Sequence, residues 1–190
     1  MFGLNDKVVY PGHGVAIIEE IVEKKVGSST VVFLKLVFLF KEMSILVPVY
    51  NTKNIGLRTP SSEKMVLEVK AELSRKPCKD FGNGEFTPSG WNKRNKDYQI
   101  KIQGGKLLDI AKIYRDLTYI SIKKELSFGE RTFLQAAEDL LLQELQTIKN
   151  EERDDVLQEV KMLCNNKVYS SSQASEEKGV SKQDQATSSL

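Results

Sequence analysis

The chain has 190 residues, room for one or two domains, with 40% hydrophobic but only 8% aromatic residues, so its cores should be mostly aliphatic. A formal net charge of +2 does not by itself point to a polyanionic partner. Two distant cysteines, Cys78 and Cys164, in no CxxC pair, argue against a disulfide-stapled secreted scaffold and read as reduced thiols of a soluble, cytoplasmic protein.

Met1 to Lys7 lacks the basic and apolar regions of a signal peptide. β-Formers then dominate, in Lys7–Tyr10, Gly14–Ile18, Ser29–Phe38 and Met43–Val49, separated by turn signals at Pro11-Gly12, Gly27-Ser28, Lys41-Glu42 and Asn51–Asn54. The apolar run Val31–Val49 is interrupted by Lys35, Lys41 and Glu42, so strands fit it better than a membrane span. Four or five short strands predict a small, strongly bent sheet of SH3-like or Tudor-like type. Gly12 and Gly14 would allow its first sharp turn.

After Thr59-Pro60 the pattern turns helical. Met65, Val66, Val69 and Leu73 mark one face of a helix over Ser61–Arg75. A loop over Lys76–Gly84 follows, then Thr87-Pro88 as a helix start, a helix over Ser89–Gln103 and a stop at Gly104-Gly105. A third helix is expected from Lys106 to about Lys123. A fourth opens on the capping box Ser127-Phe128-Gly129-Glu130 and runs to about Asn150, and a fifth covers Asp154–Leu163. Beyond Asn165 the chain is rich in Ser and Gln and reads as a disordered tail. The predicted fold class is α+β, with a β domain over residues 1–58, a helical domain of about five helices over 59–164 and a tail over 165–190.

The charge is uneven. From Trp91 to Arg115 stand seven basic and two acidic residues, a net +5; from Ser127 to Cys164 stand four basic and nine acidic ones, a net −5. A basic helical hairpin therefore precedes acidic helices. The single tryptophan, Trp91, opens that hairpin beside Lys93, Arg94 and Lys96. Cations neutralise phosphates, and a flat apolar side chain can wedge into a distorted minor groove. The same tryptophan could equally plug the contact between the first two helices; from the residues alone both readings stand.

Three stretches in order resemble the CarD/CdnL family of bacterial transcription regulators: Asp6-Lys7-Val8-Val9-Tyr10-Pro11-Gly12-His13-Gly14; Val47-Pro48 with Asn54-Ile55-Gly56-Leu57-Arg58; and Trp91-Asn92-Lys93-Arg94 with Lys96, Ala111–Leu117 and Leu126–Glu130. The resemblance covers roughly Met1–Leu163. It implies that the β module is the polymerase-interacting domain shared with the transcription-repair coupling factor and binds the RNA polymerase β subunit. It further implies that the helical module lies at the upstream edge of the promoter bubble. There Trp91 would enter the minor groove and Lys93, Arg94 and Lys96 would contact the backbone. Two family polymerase-contact positions fall on Lys24, which keeps the charge, and Leu46, which does not. Lys106 stands where relatives commonly carry an acidic residue and, with Lys101, would strengthen attraction to DNA.

The expected function is that of a non-enzymatic transcription regulator that stabilises the open promoter complex without reading sequence. The alternatives are a pure protein-interaction adaptor of the polymerase and a repair-linked adaptor needing a separate translocase. No cofactor, metal, small-molecule ligand or membrane partner is expected. His13, the only histidine, sits in a turn without nearby cysteines. Neither Gly82-Asn83-Gly84 nor Gly104-Gly105-Lys106 has phosphate-loop spacing. The carboxylates of the last two helices read as solvated faces paired along their own helices.

Overall fold

A computed structural model describes residues 2–76 and 88–164. Its N-terminal part is a four-stranded antiparallel meander, β1 (Lys7–Tyr10), β2 (Gly14–Val26), β3 (Ser29–Phe38) and β4 (Ser44–Pro48), curled into a half-barrel. Alternation puts Val8, Ala16, Ile18, Leu34, Leu36, Phe38 and Val47 on the inner face, where they form a mostly aliphatic core. A bulge between Ile18 and Glu20 shifts the β2–β3 register and adds bend. Arg58 pairs back with Val9, so the chain leaving the sheet covers part of the β1 edge.

β2 continues well beyond the expected Ile18, to Val26. Past the bulge it forms with β3 a two-stranded ribbon in which Glu20 faces Lys35, Val22 faces Phe33 and Lys24 faces Val31. Both faces of such a ribbon meet water, so its run of Glu and Lys hides the alternation from which strands are read. The expected turn at 51–54 is a short helix, α1 (Thr52–Ile55), ended by Gly56 at φ 79°, a left-handed conformation that glycine adopts without strain.

The helical part follows the predicted order: α2 (Glu63–Leu73), α3 (Pro88–Gly104), α4 (Leu107–Lys123), α5 (Phe128–Lys149) and α6 (residues 153–164). Their inner faces share one core that includes Val69, Leu73, Ile113, Leu117, Leu141 and Val156. Each such side chain contributes roughly 1.5–3 kcal/mol by leaving water. Cys164 joins this core, and burial pushes its thiol up to about 11, a protonated and unreactive state at neutral pH. Cys78, most of the expected 76–84 loop, the Thr87 cap and the tail lie outside the described residues.

The two parts meet on α5. A Cβ on Gly14 would lie 1.9 Å from the Gln143 amide oxygen, and that oxygen accepts the Val15 N–H at 3.3 Å. A Cβ on Gly105 would lie 2.8 Å from Pro11. Glu144, 2% exposed, receives both Arg58 guanidinium nitrogens at 2.7 Å and both the N–H and hydroxyl of Ser61 at 2.9 and 2.7 Å. Arg58 also donates to the Gly105 carbonyl at 2.7 Å. The sheet is thus interlocked with α5 and the α3–α4 turn.

Candidate nucleic-acid interface

Trp91 lies in the first turn of α3 and is half-buried. Its indole edge rests on Gly129 of α5, where a Cβ would come within 2.7 Å of Cζ2, and meets Phe133 edge-on with ring centroids 6.1 Å apart. The ring plugs a helix contact, with α5 rather than the expected α2, and is not sealed in. Tyr98, two turns on, is buried against the same Phe133 at 6.0 Å. Burial pushes the Tyr98 hydroxyl well above its ordinary range, with the Asp116 charge adding to the rise.

Arg94 is placed differently from the expectation. It is 2% exposed, and its Nη2 lies 3.4 Å from Oε1 of Glu130, which is 1% exposed. Helical geometry explains this. Trp91, Arg94 and Tyr98 recur at spacings of three and four on the face of α3 that meets α5. The Glu130 carboxylate also accepts from Lys124 at 2.7 Å and from the Ser127 N–H at 2.9 Å, while the Ser127 hydroxyl accepts the Glu130 N–H at 3.3 Å. One carboxylate therefore caps α5, ties down the end of α4 and anchors α3 beside Trp91.

Burial alone would raise the Glu130 carboxyl, but Lys124 and Ser127 outweigh it and hold the group below its ordinary value of 4.5. A carboxyl lowered in the folded state stabilises the fold above its unfolded value, and that contribution is lost as pH falls through the folded value. Emission from Trp91, the only tryptophan, is therefore expected to hold steady from pH 7 to about 5 and to shift red below the Glu130 titration. In Glu130→Gln the shift should lose this pH dependence; an identical acid limb in that variant would refute the assignment.

The remaining candidates are solvent-facing to different degrees. Lys93 and Lys96 are exposed and stand about 60° apart on the outer side of α3, away from the face that carries the indole. Lys101 pairs with Asp97 at 2.7 Å. Lys106 is exposed at the start of α4 and, with Arg58, Pro60 and Leu108, lines a cleft of about 540 Å³ at the joint. Lys24 and Leu46 both lie on the outer face of the sheet, Lys24 opposite Val31 and Leu46, 42% exposed, opposite Lys35. β4 is the last strand of the sheet. His13 is exposed, and its Nδ1 lies 3.2 Å from the Pro11 carbonyl oxygen.

Two buried carboxylates of α5, Glu130 and Glu144, depart from the solvated-face expectation, and a third, Glu72, is buried on α2, to which that expectation did not extend. Glu130 and Glu144 partner Arg94 and Arg58, and Glu72 of α2 pairs with Arg115 of α4. Glu144 carried a usable signal: it follows Leu140-Leu141-Leu142-Gln143 and precedes Leu145, so no solvated helical stripe can contain it. Among the described residues, no helix is long and apolar enough to cross a membrane.

The architecture is thus a curled sheet interlocked with a helical bundle that carries a half-buried indole in the first turn of α3. Residues 2–59 match the family described as CarD-like/TRCF RID domain, and residues 82–161 match CarD, C-terminal domain. The chain belongs to the CarD-like family of transcription-associated factors. It is also similar to "Putative transcription factor YdeB" of Bacillus subtilis (strain 168), 28% identical over 152 residues that make up 78% of this chain and 93% of that protein.

Proposed function

We propose that the protein docks on the β subunit of RNA polymerase through its sheet and stabilises the open promoter complex by a minor-groove contact of Trp91 at the upstream edge of the bubble. The observation that carries this reading is the seat of Trp91: a partly exposed indole held in the first turn of α3 by Gly129 and Phe133, with exposed Lys93 and Lys96 on the same helix. A rigidly seated ring can enter a widened groove without first losing its own freedom. The lysines then hold the duplex through phosphates without reading sequence. Lys101 and Lys106 add attraction along the α3–α4 turn. The outer face of the sheet offers the polymerase half-buried Val22, Val31 and Phe33 between Lys24 and Leu46, and β4 offers an edge for strand addition. Where the charge expected at Leu46 is missing, apolar contact takes its place. The sheet over residues 1–58 and the helices over 59–164 act as docking and DNA-contacting units, and the protein works in the cytoplasm, on the nucleoid.

The test is the decay of open promoter complexes formed by the cognate polymerase. The protein should lengthen their lifetime, and Trp91→Ala should shorten it again by on the order of tenfold while polymerase capture is unchanged. Unaltered decay with the native chain would leave the adaptor reading in its place.

A further inference from the structure

Phe128 is the most exposed of the large apolar side chains among the described residues, at 88%. It occupies the first position of α5. The fold makes no visible use of its ring: the capping box belongs to Ser127 and Glu130, and the core begins deeper in the helix. A single surface phenylalanine is ordinary. This one adjoins Gly129, the residue on which the Trp91 indole rests. With 3.8 Å between neighbouring Cα atoms, the Phe128 Cα lies within about 8 Å of that indole's edge. Trp91 is partly covered where it rests on Gly129 and Phe133 of α5, and Phe128, adjacent in sequence to that seat, is an almost fully exposed aromatic neighbour.

We infer that Phe128 is a second base-contacting aromatic, stacking on an unpaired nucleobase at the upstream fork while Trp91 occupies the adjoining groove. The inference rests on the function proposed above. It commits to a nucleobase rather than a protein surface because Phe128 adjoins the residue that seats Trp91 and stands at the start of α5, packed beside α3 with its exposed Lys93 and Lys96. Stacking is tolerant of sequence, since every base has a π face, and so fits a protein that holds DNA through phosphates.

The side chain touches so little that its replacement leaves the fold intact, which makes it a cleaner probe than Trp91. With the full chain and its cognate polymerase, Phe128→Leu and Phe128→Ala should shorten open-complex lifetime about five- to tenfold, and Phe128→Tyr should keep it near native. A photo-crosslinking phenylalanine analogue at position 128 should label DNA at the upstream fork. If the native chain lengthens the lifetime and Phe128→Leu does so equally, an apolar contact suffices and the stacking inference fails alone. Cross-linking to a polymerase subunit in place of DNA overturns it too. A native chain without effect on decay overturns both this inference and the function on which it rests.

Discussion

Arg58→Ala is expected to destabilise the protein by about 3–5 kcal/mol, clearly more than Glu144→Ala, although the two residues form one ion pair. The asymmetry follows from burial. Arg58 keeps 28% of its side chain exposed and Glu144 only 2%. Without Arg58 the Glu144 carboxylate stays in the joint between sheet and α5 with only the Ser61 N–H and hydroxyl as donors. A buried charge without a countercharge is among the largest single penalties a fold can carry. Without Glu144 the guanidinium keeps the Gly105 carbonyl and can turn toward water, so the cost falls to about 1–3 kcal/mol. The double variant should be more stable than Arg58→Ala alone, because it removes the stranded carboxylate. Urea unfolding followed by circular dichroism and by Trp91 emission measures all three. Equal costs for the two single variants would show that the pair is solvated and does not lock the joint.

The same pair marks where the sequence ceased to be legible. Local signals located the helices well: the Ser127/Glu130 capping box opened α5 where the structure opens it, and Gly104-Gly105 closed α3. Those signals act over three or four residues, within reach of pattern reading. The partners of the buried carboxylates lie 86 residues apart for Arg58 and Glu144, and 36 for Arg94 and Glu130. No periodicity links such positions. Charge counting therefore assigned Arg94 to the surface with Lys93 and Lys96, although its spacing from Trp91 and Tyr98 already put it on their face. The long β2–β3 ribbon was missed for a related reason: strand reading relies on one wet and one dry face, and residues 19–26 have two wet ones. Trp91 was legible as a candidate because of its polar neighbours, but its seat depends on the absence of a side chain at Gly129, on another helix.

Arg94 yields the sharper functional test, because charge and geometry predict opposite results there. If its guanidinium met a phosphate, Arg94→Lys would keep the charge and leave both open-complex lifetime and salt dependence nearly as they are. The structure puts that guanidinium against Glu130, 2% and 1% exposed, one turn from Trp91. A lysine there has a single compact ammonium in place of the planar fork and a stronger hold on water, so it cannot reproduce the same buried contact. Arg94→Lys is therefore expected to red-shift Trp91 emission, lower stability by about 2–3 kcal/mol and shorten open-complex lifetime severalfold. The dependence of DNA affinity on salt should not change, since no phosphate contact is lost. Lys93→Ala and Lys96→Ala should do the reverse, each flattening the salt slope by about 0.9 while leaving emission and stability intact. Glu130→Ala should be the most damaging change at this site, because it removes the carboxylate that Arg94 and Lys124 share and half of the α5 capping box at once. A flattened salt slope in Arg94→Lys, with native emission, would return that arginine to the DNA surface and remove the anchor from beneath the indole.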